Sequence, residues 1–163
     1  MIIRDAADSD FPEILAIYNA AIPGHTATAD THPVTVESRR AWFHEHRPST
    51  RPLWVALEND VILGWLSFQS FYGRPAYRAT AELSIYVTPD HQRRGIGSTL
   101  LAQAVEQGPR LELKTLLGFI FAHNAGSLRL FEKFGFQRWG VLPGVAELDG
   151  EERDLIIVGR RLT

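Results

Sequence analysis

The sequence contains no cysteine and one methionine. Without thiols there is no disulfide, no thiolate metal site and no cysteine nucleophile. Neither sign of charge is in excess: 17 Lys and Arg stand against 19 Asp and Glu, a net charge of −2. A chain so balanced has no general attraction for nucleic acid or an anionic membrane, so any anion site must be built locally. No apolar run approaches the ~20 residues that cross a bilayer. The opening "MIIRDAADSD" lacks the charged-then-apolar layout of a secretion signal, and the cytoplasm is the expected compartment. The six histidines are scattered, and His44 and His46, two apart, do not share one side of a helix, so no metal is expected. Biased tracts, repeats and linkers are also missing. At 163 residues, the chain reads as one domain, 1–163, with a single sizeable core.

What is present is an alternation of strand and helix patterns. "IIRDA" reads as a short strand. "DSDFPEILAIYNAAI" reads as a helix, with Ser9 or Asp10 available as cap, Pro12 in the first turn, and Phe11, Ile14, Leu15 and Tyr18 at helical spacing. After the polar loop "PGHTATADTHP", Thr35 with Ser38 and Arg39 opens a second helix toward His46, its faces marked by Val36, Arg40 and Phe43. "PLWVALENDVILGWLSFQSF" is two strands joined at Asn59-Asp60. "TAELSIYV" is the next strand, ended by Pro89. A helix then runs to about Gln107, burying Leu100, Leu101, Ala104 and Val105. "KTLLGFIFA" is apolar enough to be a strand covered on both faces. "NAGSLRLFEKFGF" is helical up to Gly135, with Leu128, Phe131 and Phe134 pointing one way, and "QRWGVLPG" and "ERDLIIVGRRL" form a closing pair across Asp149-Gly150. Trp42, Trp54 and Trp65 are expected in the core. Trp139 is a candidate pocket or subunit-interface residue.

The chemistry is carried by "HQRRGIGSTLL", residues 91–101, lying between a strand and a helix. The first amides of a helix lack intrahelical partners and sit at the positive end of the peptide dipoles, a setting matched to phosphate. Gly95 and Gly97 leave the backbone uncovered, Arg93 and Arg94 bring charge, and Ser98 and Thr99 bring hydroxyl groups. A solvated, arginine-rich turn is the plain alternative. A P-loop is excluded because no lysine precedes the hydroxyl pair. A dinucleotide fingerprint is excluded because Leu100 stands where a third glycine is needed, and "FIFAHN" offers no acidic residue. A diphosphate-bearing acyl carrier remains.

"QRRGIG" resembles the Q/R-x-x-G-x-G/A signature of the GCN5-related N-acetyltransferases (GNAT). The second signature of that superfamily, N-x-x-S-x-x-L-[YF]-x-x-x-G-F, is matched by Asn124, Ser127, Leu130, Phe131, Gly135 and Phe136. "AYRATAELSIYVTPDHQRRGIGSTLL" is similar, more narrowly, to the phosphinothricin and methionine sulfoximine acetyltransferases. The resemblance implies an α/β fold, with a mixed, mostly antiparallel sheet, a central splayed parallel strand pair and helices on both faces. It implies acetyl-CoA as co-substrate and a homodimer. Ile85, Tyr86 and Val87 would then offer main-chain groups to the pantetheine arm. Arg93, Arg94, Gly95, Ile96, Gly97 and Ser98 would wrap the pyrophosphate, and Asn124 would bond the arm near the thiol.

Acetyl transfer to an amine needs a proton acceptor, because an aliphatic ammonium titrates near ~10 by analogy with lysine. Strand alternation puts Glu82, Ser84 and Tyr86 on one face, with Leu83, Ile85 and Val87 on the other. Glu82 is the candidate base; a solvated strand-edge glutamate is the alternative. A main-chain N–H near Ile85 to Val87 is the candidate oxyanion donor. Many GNAT members have tyrosine where this chain has Phe131, which cannot protonate a departing thiolate, so Tyr86, another hydroxyl or solvent must act if any acid does. Phe71, Tyr72 and Tyr77 are candidate pocket walls, and Arg74 or Arg78 could pair with a substrate carboxylate or phosphinate. The resemblance places Tyr72 to Arg74 and Glu82 to Ser84 at an amino-acid substrate. The loop "GHTATADTHP" is the candidate opposite lip, from which Thr26 or Thr28 could reach the ligand. The expected activity is N-acetylation of a small amino-acid-like amine. Acetylation of a protein N-terminus or lysine would call for an open acidic groove, for which the loop after Phe71 is too short and aromatic. A non-catalytic acyl-CoA sensor has Phe131 in its favour and Glu82 against it.

Overall fold

The computed structural model describes residues 1–162. Seven strands form one sheet: β1 (Ile2–Asp5), β2 (Leu53–Glu58), β3 (Val61–Ser70), β4 (Thr80–Val87), β5 (Thr115–Phe121), β6 (Gln137–Leu148) and β7 (Glu151–Arg161). Their order across the sheet is β1-β2-β3-β4-β5-β7-β6. Four α-helices connect them: α1 (Phe11–Ala20), α2 (Val36–His44), α3 (Ile96–Gln107) and α4 (Ala125–Lys133). The fold is the mixed α/β architecture expected from the sequence, element for element.

Local chemistry explains most boundaries. Asn59 and Asp60 both adopt left-handed φ values of 52° and 63°, the demand of a two-residue hairpin turn between right-twisting strands. Thr35 and Ser38 form a reciprocal capping box at the start of α2. Asp10 has another role from the one expected. A short 3₁₀ turn at Asp8–Asp10 leads into α1, and the Asp10 carboxylate accepts from the Ala7 amide (2.7 Å) and pairs with Arg4 (2.7 Å) rather than capping α1. On α2 it is Arg39, not Arg40, that joins Val36 and Phe43 toward the sheet, whereas Arg40 points outward near Glu37 (3.8 Å).

Two apolar layers enclose the sheet. One packs α3 and α4 on Leu83, Leu116, Ile120 and Val158, with Leu100, Leu101 and Ala104 fully buried. The other packs α1 and α2 on Val55, Leu57 and Trp65. Strand β4 lies between the layers and obeys the expected alternation.

Only β4 and β5 run parallel, and they pair over three rungs: Thr80–Thr115, Ala81–Leu116 and Glu82–Leu117. Beyond Glu82 each follows its antiparallel neighbour instead. β4 stays in register with β3 up to Val87, and β5 with β7 up to Phe121. Twist accumulating within each half drives the strands apart into a fork. From Leu83 onward, the β4 backbone groups facing β5 have no strand opposite them. No helix among the described residues is long and apolar enough to cross a membrane.

Candidate active site

The N-terminus of α3 opens at the mouth of this fork. Gly95 precedes the helix at φ 82°, a left-handed conformation natural to glycine, and a side chain there would point into open space. Arg93 is also left-handed (φ 64°), so the chain enters that region twice within three residues. The first intrahelical acceptor in use is the Gly95 carbonyl, bonded by the Thr99 amide (2.9 Å). The amides of Ile96, Gly97 and Ser98 therefore face outward without helical partners, and no side chain caps them. Arg93 and Arg94 are exposed and make no ion pair among the described residues.

The structure adds two details to the sequence reading. A Cβ on Gly97 would sit 3.3 Å from Leu130 Cδ2, so this glycine also lets α3 lie close to α4. The Thr99 hydroxyl is spent on the Gly95 carbonyl (2.8 Å), and the Ile96 side chain is buried against Gly64, so Ile96 offers only its amide.

At the fork itself stands Glu82. Its side chain is half-buried, accepts no hydrogen bond and has no cationic partner among the described residues. Burial pushes its carboxyl above the usual carboxylate range, which moves it toward the basicity of a proton acceptor working near neutral pH. The strand register orders what lies beyond it. Glu82 is opposite Gln69, Ser84 opposite Ser67, and Tyr86 opposite Trp65. These three rungs share the α1/α2 face by the two-residue period.

Along this face, between the sheet and helices α1 and α2, lies a cavity of ≈ 130 Å³. Leu15, Val34, Trp42 and Trp65 supply its apolar walls, and Ser67, Gln69, Ser84 and Arg39 supply polar atoms. Ser67 is fully buried, and its Oγ has no hydrogen-bond partner. A buried hydroxyl without a partner costs about 1–3 kcal/mol, so it is rarely left in place without a use. Arg39 is held over the Tyr18 ring (5.7 Å) and on Asp30 (2.6 Å). Tyr18 donates to the same Asp30 carboxylate.

The loop between α1 and α2 straps the open end of the fork. Tyr86 donates its hydroxyl to the Ala27 carbonyl (3.2 Å), Asn124 donates to Thr26 O (3.4 Å), and the His123 ring bonds His25 O (2.8 Å). Asn124 also caps α4, accepting from the Ser127 amide (3.2 Å). Thr26 and Thr28 are both engaged inside the loop, Thr26 with Gly24 O and Thr28 with Tyr18. Burial, and then the nearby Tyr18, push the Tyr86 phenol far above its ordinary value. Phe131 lies in the core, over Gly118 and edge-on to Phe136 (4.9 Å).

Several expected substrate residues sit elsewhere. Phe71, Tyr72 and Tyr77 make an aromatic cluster with centroids 4.5 and 5.2 Å from Phe71, but Tyr72 is 79% exposed and none of the three lines the cavity. Arg74 and Arg78 are exposed and also lie outside its lining. Conversely, Trp42 and Trp65, expected only in the core, line the cavity, as do Arg39, Ser67 and Gln69, which had not been singled out. The signal for two of these was available. In "WLSFQ", alternation sets Ser67 and Gln69 beside Trp65 on one face of a strand otherwise apolar.

A forked parallel pair, a glycine-led helix start between its arms and a lone carboxylate at the branch define a fold built to hold a diphosphate-bearing acyl donor. The chain belongs to the acetyltransferase (GNAT) family, whose model matches residues 14–136; it is an N-acetyltransferase. Within that family it is similar to the YwnH protein of Bacillus subtilis, 49% identical over 164 residues and the full length of both chains. It is 34% identical to the L-methionine sulfoximine/L-methionine sulfone acetyltransferase of Pseudomonas aeruginosa, over 94% of this chain and 90% of that one. The crystal structure of a phosphinothricin acetyltransferase from Sinorhizobium meliloti in complex with AcCoA superposes with a TM-score of 0.92. It has 26% identity, covering 98% of this chain and 87% of that one.

Proposed function

We propose that the protein transfers the acetyl group of acetyl-CoA to the α-amino group of a small amino acid of the methionine sulfone, methionine sulfoximine or phosphinothricin type, by direct attack in a ternary complex. The observation that carries this reading is Glu82. It is an unpaired, partly desolvated carboxylate at the fork, opposite Gln69 on the wall of a cavity of side-chain size. The amides of Ile96, Gly97 and Ser98, with Arg93 and Arg94, suit a pyrophosphate. The Ile85 to Val87 stretch of β4, on the edge turned away from β3 where no strand lies opposite, suits the pantetheine arm, with Asn124 Nδ2 near its end. When bound, acetyl-CoA supplies an acyl group on a good leaving group.

The residues of this chain then do three things. Glu82 takes the proton of the incoming ammonium, directly or through one water. A main-chain N–H of Ile85 to Val87 holds the carbonyl oxygen as it gains charge. Tyr86 stays protonated and donates hydrogen bonds. Its raised phenol is a poor proton source for a thiolate that titrates near ~8.5 by analogy with cysteine, so the thiolate leaves without a dedicated acid.

The test is release of free thiol from acetyl-CoA with L-methionine sulfone, L-methionine sulfoximine and L-phosphinothricin. Turnover on at least one, falling ~10²-fold or more in Glu82→Gln with coenzyme A affinity kept, is the expected result. Background rates on all three reject the substrate assignment, and an unchanged rate in the variant removes Glu82 from the chemistry.

The proposal extends to a homodimer. Strand β6 is a sheet edge, and Trp139, Val141, Leu142 and Val145 are 40–58% exposed along it. Such a row is a liability for a free monomer. Sedimentation should find two copies per particle; a monomer at micromolar concentration would reject it.

A further inference from the structure

We propose that the cavity beneath the Ser67–Ser84 rung is the subsite that reads the side chain of the substrate, and that it selects a tail ending in hydrogen-bond-accepting oxygens. This rests on the amino-acid N-acetyltransferase reading and adds to it the residues that discriminate between amino acids. The cavity lies on the same sheet face as Glu82: Gln69, opposite Glu82, lines its near end, and the Ser67–Ser84 rung stands two residues farther along, roughly 6.6–6.8 Å away at the strand rise. An α-amino nitrogen at Glu82 therefore directs the rest of the molecule along the rungs. The four bonds from that nitrogen to a γ-linked sulfur or phosphorus, with one more to its oxygen, span this separation.

The polar inventory sets the chemistry. Ser67 Oγ is fully buried and unpartnered, and Ser67 is one of the residues that line the cavity. The side chains of Gln69 and Ser84 make no hydrogen bond within the described residues, and Arg39 brings a guanidinium to the same space. Each of these groups can donate, and no carboxylate belongs to the lining. Donors around a half-closed space, one of them desolvated, match the oxygens of a sulfone, sulfoximine or phosphinate. They disfavour an ammonium tail and give nothing to a hydrocarbon one. Leu15, Trp42 and Trp65 pack the methylenes that lead there.

Ser67→Ala removes a single oxygen, and Ser67→Val also fills its place. Each is to be compared with the parent on L-methionine sulfone and on L-norleucine, which has similar length and no tail oxygen, at saturating acetyl-CoA. The parent should prefer the sulfone in kcat/KM. Ser67→Ala should raise KM for the sulfone about 3- to 10-fold and leave that for norleucine within about twofold, the size of one hydrogen bond. Thermal melting at or above that of the parent shows that the fold is intact. Gln69→Leu is read the same way and keeps the test open should Ser67→Val fail to fold. Equal changes on both amines, or no change in any variant, overturn the subsite. Calorimetry of L-methionine sulfone on the coenzyme A-loaded protein separates the two proposals. Binding that Ser67→Val abolishes, in a protein that acetylates nothing, keeps the subsite and rejects the transfer reading. Acetylation that treats sulfone and norleucine alike does the reverse.

Discussion

The two faces of β4 are built to opposite rules. Toward α3 and α4, Ala81 and Leu83 are buried at 0% and 3%, and Ile85 and Val87 pack against the same apolar cluster, with no polar side chain among the four. Toward α1 and α2, the same strand presents Glu82, Ser84 and Tyr86. There the packing is interrupted by a cavity, a partnerless hydroxyl and a carboxylate displaced from its usual titration range. One face gains stability from burial at about 25 cal/mol per Å² of apolar surface. The other gives some of that up to keep polar groups dry and unsatisfied, the state in which they gain most from meeting a ligand. The strand shows in eight residues how a fold separates what holds it together from what it does.

The comparison can be broken at either face. Leu83→Ala should cost about 2–5 kcal/mol in denaturant unfolding while leaving turnover per folded molecule nearly unchanged. A cost below about 1 kcal/mol would mean that the closed face is not a packed core. Gly95→Ala, at the helix start, forces an L-residue into φ 82° and should cost about 1–2 kcal/mol. It should also weaken coenzyme A binding by about tenfold, equivalent to 1.4 kcal/mol. Unaltered affinity by calorimetry would separate that turn from the cofactor. The smallest effect belongs to Glu82 and has the opposite sign. Its folded carboxyl titrates above the unfolded one, so the folded state bears a cost for the charged form. That cost is absent below the unfolded value of about 4.3 and complete once pH has risen through the folded one. Glu82→Gln should therefore melt slightly higher than the parent at pH 7.5, with the gap closing near pH 4. A variant that melts lower at pH 7.5 would mean that the carboxylate has a stabilising partner.

The order of elements was legible because its signals are local. The Asn59-Asp60 turn, the Thr35/Ser38 box, the apolar run of β5 and the alternation in β4 each depend on neighbours in the chain. The placement of Glu82 and of the α3 amides was legible for the same reason, one from a period of two and the other from a glycine before a helix. Asp10 shows where this stops. It looked like a helix cap, and the Arg4 guanidinium brought by β1 gave it another use. Tyr72 and Arg74 looked like pocket residues because they are aromatic and cationic beside the strand that carries Glu82. Their turn carries them outward, away from the cavity under α1 and α2.

By itself the sequence determined the succession of strands and helices and the helix start that suits a diphosphate, since backbone conformation and capping are decided within a few residues. Tertiary structure alone decided the fork after Glu82, because it arises where β4 and β5 are each held by a different antiparallel neighbour. It also decided the cavity at Ser67. That space exists only because two helices, α1 and α2, stop short of filling the face that β3 and β4 share.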